Sequence, residues 1–532
     1  MMKWLFWIAL GCLVSKPVVA QRQEFKDFYP NGKVRSEGVY QRGLEDSLWR
    51  FYFDSGVLQE EANYRMGKLN GSVKRYHPNG QLMTEGFFVL DKQDSVQRSF
   101  ALSGEKMEEG FFLNGKRTGK WCNFAPSGDT SKIELYTDSL VYLFLFADEK
   151  GTRVVENGTG MVKDIFANGK VREQMSYLNG LPHGPFTEFF SDGQRRVSGT
   201  YHAGRKTGEW LEYFSTGKLT RKANFDQDVL HGVFETYFLD GEPEVIGSYD
   251  QGKKTGYWKW YIQGGKLDME GSFDQDLQEG DWIYWYGNGN KHYWGSYSKG
   301  VMQGIWDYQY FTGEPWKQGN YQIGQRTGKW TVWFESGRIL QQGNYKDDLS
   351  DGEWFSNYES GKLKDKGSYL AGKMNGKWEG YHSGGVRNYT GEWKSDLKVG
   401  EWMYWGEKGK SKRLETYNDQ GVLNGPSEMY NAQGKLESKG NFRNGKPDGK
   451  WSYYYDFGGI LRTCQYKEGK LNGKSVTHSQ RGRVIEESAY KSNRLHGEYT
   501  SYDEKTGQVI IRQVYEEGRV VKVLEGSPIN KK

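Results

Sequence analysis

Eleven tryptophans stand at equivalent places in the chain: Trp49, Trp121, Trp210, Trp258, Trp282, Trp306, Trp330, Trp354, Trp378, Trp402 and Trp451. From Trp258 to Trp402 they are spaced 24 residues apart without a break. An indole face attracts cations through its quadrupole, so a row of indoles with exposed edges would suit sugar rings or quaternary ammonium groups. The same row could instead pack against itself and hold the fold together. Trp210, Trp258, Trp282, Trp306, Trp330, Trp354, Trp378 and Trp402 are the candidates for either role.

Other reactive side chains dissolve into a repeated phrase. His183, His231 and His496 each stand just before a recurring glycine, which reads as one turn residue multiplied by duplication. The stretch from Gly469 through Gly473-Lys474-Ser475 mimics a phosphate loop, but its glycines are one residue too close and no helix N-terminus follows. Acids are scattered, with no apolar pocket to raise a carboxyl pKa for paired-carboxylate chemistry. Cys12, Cys122 and Cys464 are too far apart in sequence for a CxxC pair or a zinc knuckle. The expectation is a chain that is not an enzyme and carries no metal or cofactor.

Composition narrows the scaffold that positions these residues. The 532 residues include 37 Tyr, 27 Phe and 20 Trp, with 72 Gly and only 11 Pro. That glycine and proline usage excludes collagen and proline-rich linkers. Abundant aromatics with a net charge of only +5 are the reverse of a disordered chain. The same near balance leaves no strong field to draw the protein onto nucleic acid.

The elements follow from the period. A typical unit runs from Tyr201 through Gly204, Gly208, Trp210, Tyr213 and Gly217, with Phe225 opening the next. Numbering from the first aromatic, aromatics fall at positions 1, 10 and 13 and glycines at 4, 8, 17 and 23. Nineteen units begin between Tyr40 and Tyr490, ten of them in unbroken register from Tyr177 to Trp393, and a one-residue slip precedes Asn418. Each reads as a β-hairpin, with a strand over positions 9 to 14 and a turn ending at the glycine of position 17. A second, polar turn is expected across Gly204–Gly208. An isolated hairpin buries too little to fold, so the units must stack. The fold class is all-β: tandem 24-residue hairpins in an elongated antiparallel sheet or open solenoid. Positions 10 and 13 differ by an odd number, so either both faces carry aromatics or a bulge re-aims one of them.

Two segments depart from the repeat. Lys3, the apolar run Trp4–Val14 and Val18-Val19-Ala20 read as a signal peptide spanning residues 1–20, with Cys12 a weak candidate for lipidation. Residues 137–152 interrupt the array between an N-terminal part (21–136) and a main part (153–520), before a tail at 521–532. Val141, Tyr142, Leu143, Phe144, Leu145 and Phe146 form the most apolar run of the mature chain, expected as an added strand or lid and a candidate partner site.

Phrases such as Tyr249-Asp-Gln-Gly-Lys-Lys-Thr-Gly-Tyr-Trp258-Lys-Trp-Tyr261 resemble the MORN repeat variant of bacterial YwqK-type proteins, over roughly residues 25–520. The resemblance implies a hairpin array without a catalytic site in the repeat, acting as an antitoxin or as a protein- and membrane-binding scaffold. A signal peptide departs from a cytoplasmic antitoxin. The function expected is a non-catalytic scaffold exported to the periplasm, cell surface or medium, monomeric, binding a protein partner or envelope glycan. A carbohydrate- or choline-recognising wall module and an antitoxin-like neutralising protein are the alternatives.

Overall fold

The computed structural model describes residues 22–526. The signal peptide, Cys12 included, and the end of the tail lie outside the described residues. The chain is all-β: 43 strands, β1 (Arg22–Phe28) to β43 (Arg519–Glu525), form an antiparallel open sheet of hairpin repeats. It comprises two compact units, one of residues up to Pro243 with Ser248–Lys253, the other of Glu244–Gly247 with residues from Lys254. Within each unit, strands pair with their sequence neighbours. The last strand runs to Glu525, so the expected tail from residue 521 begins as sheet.

One repeat explains the rest. Strand β17 (Arg205–Tyr213) leads through a tight turn to β18 (Leu219–Asp226), then through a second turn to β19 (Val229–Tyr237). In the first turn the Phe214 amide donates to the Lys218 carbonyl and the Gly217 amide to Phe214, with Gly217 at φ 81°. This is the turn expected at position 17, where only a left-handed residue closes the loop. The second turn is shorter than expected. It is two residues, such as Ala203-Gly204 with φ of 48° and 85°, the doubly left-handed geometry that matches strand twist.

Gly208 is therefore not in a turn. It lies inside β17 at φ 62°, where the pairing passes from Ser198↔Leu211 directly to Thr200↔Thr207. The extra residues form a bulge that raises the local twist and that glycine accommodates without strain. Beyond the bulge the strand alternates regularly, which answers the parity question. Positions 10 and 12 share a face, as in the stacked Trp49 and Phe51 and the stacked Trp282 and Tyr284. Position 13 takes the other face, where Tyr52 donates to Glu37. Both faces carry aromatics.

The core is a zipper of rings on the first face. Trp330 meets Tyr321 edge-on at 5.2 Å and Tyr345 at 5.9 Å, and Trp306 repeats the arrangement with Tyr297 and Tyr321. Such pairs contribute about 0.5–1.5 kcal/mol each beyond their burial. Every one of the eleven indoles lies flat on the glycine eleven residues before it. A Cβ on Gly319 would stand 2.0 Å from the Trp330 ring, and one on Gly295 would stand 2.3 Å from Trp306. In three units with a smaller side chain in place of the indole the glycine is replaced: Ala62 faces Val73, Ala223 faces Phe234 and Cys464 faces Ser475. In nine of the eleven the indole N–H donates to the carbonyl that follows the glycine, as from Trp282 to Ser272 at 3.1 Å and from Trp402 to Glu392 at 3.2 Å, whereas Trp258 donates to the Thr255 carbonyl.

Candidate functional site

Ten of the eleven indoles are buried, Trp258 at 1% and Trp306 at 0% exposure among them. An evenly exposed row of edges is therefore not what this face presents. Trp210, Trp258, Trp282, Trp306, Trp330, Trp378 and Trp402 are packed, and Trp354 alone is half-buried. Several packed indoles also carry a cation over the ring. Arg117 stands 3.8 Å from the centroid of Trp121, Lys206 4.3 Å from Trp210, Lys254 4.8 Å from Trp258 and Lys398 4.5 Å from Trp402. All four come from position 6 of the unit that supplies the indole.

Of the histidines at position 7, His183 serves a turn, while His496 Nδ1 is buried without a hydrogen bond. The Ala203 amide donates to His183 Nδ1, and the neighbouring units fill the same role with other acceptors, such as Gln303 for the Ile323 amide. His231 Nδ1 stands 3.2 Å from Asp250. In the mimic of a phosphate loop, Ser475 is buried in the sheet and Lys474 pairs with Glu487 at 2.8 Å.

The interruption builds a cleft. Strand β9 (Lys116–Phe124) pairs with β10 (Thr130–Tyr136), which pairs with β11 (Val141–Ala147). The apolar run is thus an added strand. A short β12 (Arg153–Glu156) and β13 (Thr159–Ile165) follow. The Leu143 amide donates to the Gly180 carbonyl and the Gly158 amide to the Phe144 carbonyl, so β11 is pinned across neighbouring turns. Leu143 is buried, while Val141 is 43% and Phe144 38% exposed. Pairing skips Phe144, passing from Ile133↔Leu145 to Glu134↔Leu143. That bulge lets both Phe144 and Leu145 line a cavity of about 560 Å³ with Ile133, Leu135, Lys120 and Arg153. Arg153 also reaches Glu156 at 3.5 Å, leaving an apolar floor with a charged rim.

A second cavity opens on the aromatic face, and sequence reasoning missed it. In several repeats positions 12 and 21 pair across the strands with bulky groups: Tyr284 stacks on Tyr293 at 4.2 Å, Lys317 stands 4.2 Å from Tyr308 and Arg413 4.6 Å from Tyr404. Between β29 (Leu349–Asn357) and β30 (Leu363–Leu370) the pair is Ser356↔Asp365, and on β31 (Lys373–Tyr381) position 12 is Gly380. Tyr389 lies over that glycine and donates to Asp365 Oδ1 at 2.7 Å. Burial and then the Asp365 carboxylate raise the Tyr389 phenol above its ordinary range. The result is a cavity of about 280 Å³ walled by Trp354, Trp378, Tyr369, Tyr389 and Met374, with Gln341, Ser356 and Asp365 as its polar groups. The signal in the sequence was a pair of small residues, Ser356 and Gly380, at position 12 of two successive units.

Comparison with known proteins bears on the repeat. No curated protein matches the chain. Among solved structures, the crystal structures of TcdB2-TccC3-Cdc42, TcdB2-TccC3-TEV and TcdB2-TccC3 without hypervariable C-terminal region are similar at 13%, 12% and 9% identity. They cover 93%, 94% and 96% of this chain and 31%, 31% and 35% of theirs, with TM-scores of 0.13, 0.13 and 0.12. The chain spans about a third of their length, and likeness this slight carries no argument. The MORN repeat variant description matches residues 24–42, 45–66, 69–89, 206–227, 326–347, 350–371, 423–444 and 447–468. These segments share the hairpin of the other repeats, and the chain carries MORN repeat variants in both of its units.

Proposed function

We propose that the protein is a non-catalytic, exported scaffold whose hairpin array presents a docking surface for a protein or cell-envelope partner at the interruption. One observation carries this reading. Where the repeat breaks, β11 puts Val141 and Phe144 at the surface beside an apolar cleft of about 560 Å³. An exposed apolar set rimmed by charge is the usual mark of an interaction site. The regular repeats, by contrast, spend their rings on packing, which leaves specificity to the places where the pattern changes. The experiment is cross-linking in the native envelope fraction with Phe144→Asp beside the unaltered chain. A partner cross-linked by the unaltered chain and lost with Phe144→Asp supports the reading, and a partner retained by both rejects the cleft. N-terminal sequencing tests export: a mature chain beginning at Gln21 supports it, and uncleaved protein rejects it.

A further inference from the structure

We propose that the cavity at Ser356, Asp365 and Gly380 binds a small organic ammonium ion. This goes beyond the docking surface above, since it names a different site and a different ligand.

Four of the eleven indoles take a cation from their own repeat. At Trp121, Trp210, Trp258 and Trp402 a position-6 Arg or Lys lies over the ring. At Trp354 and Trp378 that position holds Ser350 and Met374, so neither indole receives a cation from it. Two equivalent acids are paired within the array, Glu60 with Arg75 at 2.5 Å and Glu108 with Arg117 at 3.0 Å, while Glu486 is held by the hydroxyls of Ser488 and Tyr499. Asp365 pairs with no Lys or Arg among the described residues; its recorded partners are the hydroxyls of Tyr389 and, at 3.4 Å, Ser356. A carboxylate accepting two hydrogen bonds keeps further lone pairs for a ligand.

The cavity therefore combines a carboxylate lacking a counter-ion with four aromatic rings and a thioether. Aromatic faces and a negative charge both favour a positively charged, weakly hydrated group. An anion meets repulsion from Asp365, and a neutral polyol leaves that charge uncompensated. At about 280 Å³ the cavity is at the small end of ligand sites, which fits a compact head group. Such a group occurs in methylated amines of the choline type and in lysine side chains.

Isothermal titration of the full purified chain with choline and with n-butylammonium tests the site. Saturable binding of at least one cation at one site per chain is expected, at least about tenfold tighter than 3,3-dimethylbutan-1-ol, the uncharged isostere of choline. Asp365→Asn weakens it by at least about tenfold. Ser356→Tyr, which restores the filler found at Tyr308, abolishes it. Circular dichroism checks that both variants keep the sheet, and if Ser356→Tyr disturbs it, Asp365→Asn decides. Tighter choline assigns a methylated head group; n-butylammonium equal or tighter assigns a lysyl side chain. No saturation with either cation, equal binding of the isostere, or unchanged affinity in Asp365→Asn overturns the proposal. Phe144→Asp touches a different strand, so failure here leaves the docking test standing.

Discussion

Two stretches of one face, Trp282 to Trp306 and Trp354 to Trp378, are built from the same hairpin and end differently. In the first, Tyr284, Tyr293 and Tyr308 fill positions 12 and 21 and stack on one another at 4.2 and 5.6 Å. The indoles beneath them are sealed. In the second, Ser356, Asp365 and Gly380 take equivalent positions, the stack stops, and Trp354 is uncovered. The glycine seats of the indoles are the same in both. The difference teaches that repeat positions differ in what they carry: 10 and 23 hold the sheet, while 12 and 21 can change without breaking it.

Substitutions sharpen that contrast. Trp306→Ala should cost about 3–5 kcal/mol in denaturant unfolding, because it empties a fully buried ring site. Trp354→Ala should cost clearly less, and equal losses would erase the distinction. Gly319→Ala should cost about 1–3 kcal/mol, since the new Cβ meets the Trp330 ring. Gly287→Ala, in a turn with only a side-chain methyl at 3.6 Å, should stay within about 0.5 kcal/mol. Asp276→Ala should cost about 1 kcal/mol, because Asp276 Oδ1 accepts the Lys254 amide at 2.7 Å and ties successive turns. Ser356→Tyr should raise stability by up to about 1 kcal/mol through the ring contacts it regains.

Alkaline titration gives a smaller, distributed signal. Burial first, then the charge of Glu486 and a hydrogen bond to it, push the Tyr499 phenol up to about 12. The folded form then keeps a proton that the unfolded chain loses near 10. This contribution is complete below pH 10 and disappears as pH rises toward 12. Ultraviolet titration of Tyr499→Phe against the parent should remove one late-ionising phenol; an unchanged curve would contradict the assignment.

Much of the fold was legible because the period is strict. A 24-residue spacing, aromatics at fixed positions and Gly217-type turn glycines are enough to specify stacked hairpins, while the apolar run from Val141 reads as an added strand or a lid and forms the strand. The register was not legible. Gly208 serves a bulge, which no propensity distinguishes from a turn, because both need the same left-handed φ. The seat of each indole was present in the sequence as a glycine eleven residues upstream, but its meaning depends on which strand residues face each other. The cavity at Asp365 was hidden for a related reason: it is made of small residues, whose effect is visible only once the neighbours that fail to fill the space are known.

Hydroxyl-radical footprinting read at each tryptophan tests the central claim most directly. The half-buried indoles Trp285, Trp333 and Trp405 on the opposite face should be modified and serve as references. Trp354 should be modified as well, while Trp258, Trp282, Trp306, Trp330 and Trp402 remain protected. Uniform modification of the stripe, or a Trp354 as protected as Trp306, would contradict the account.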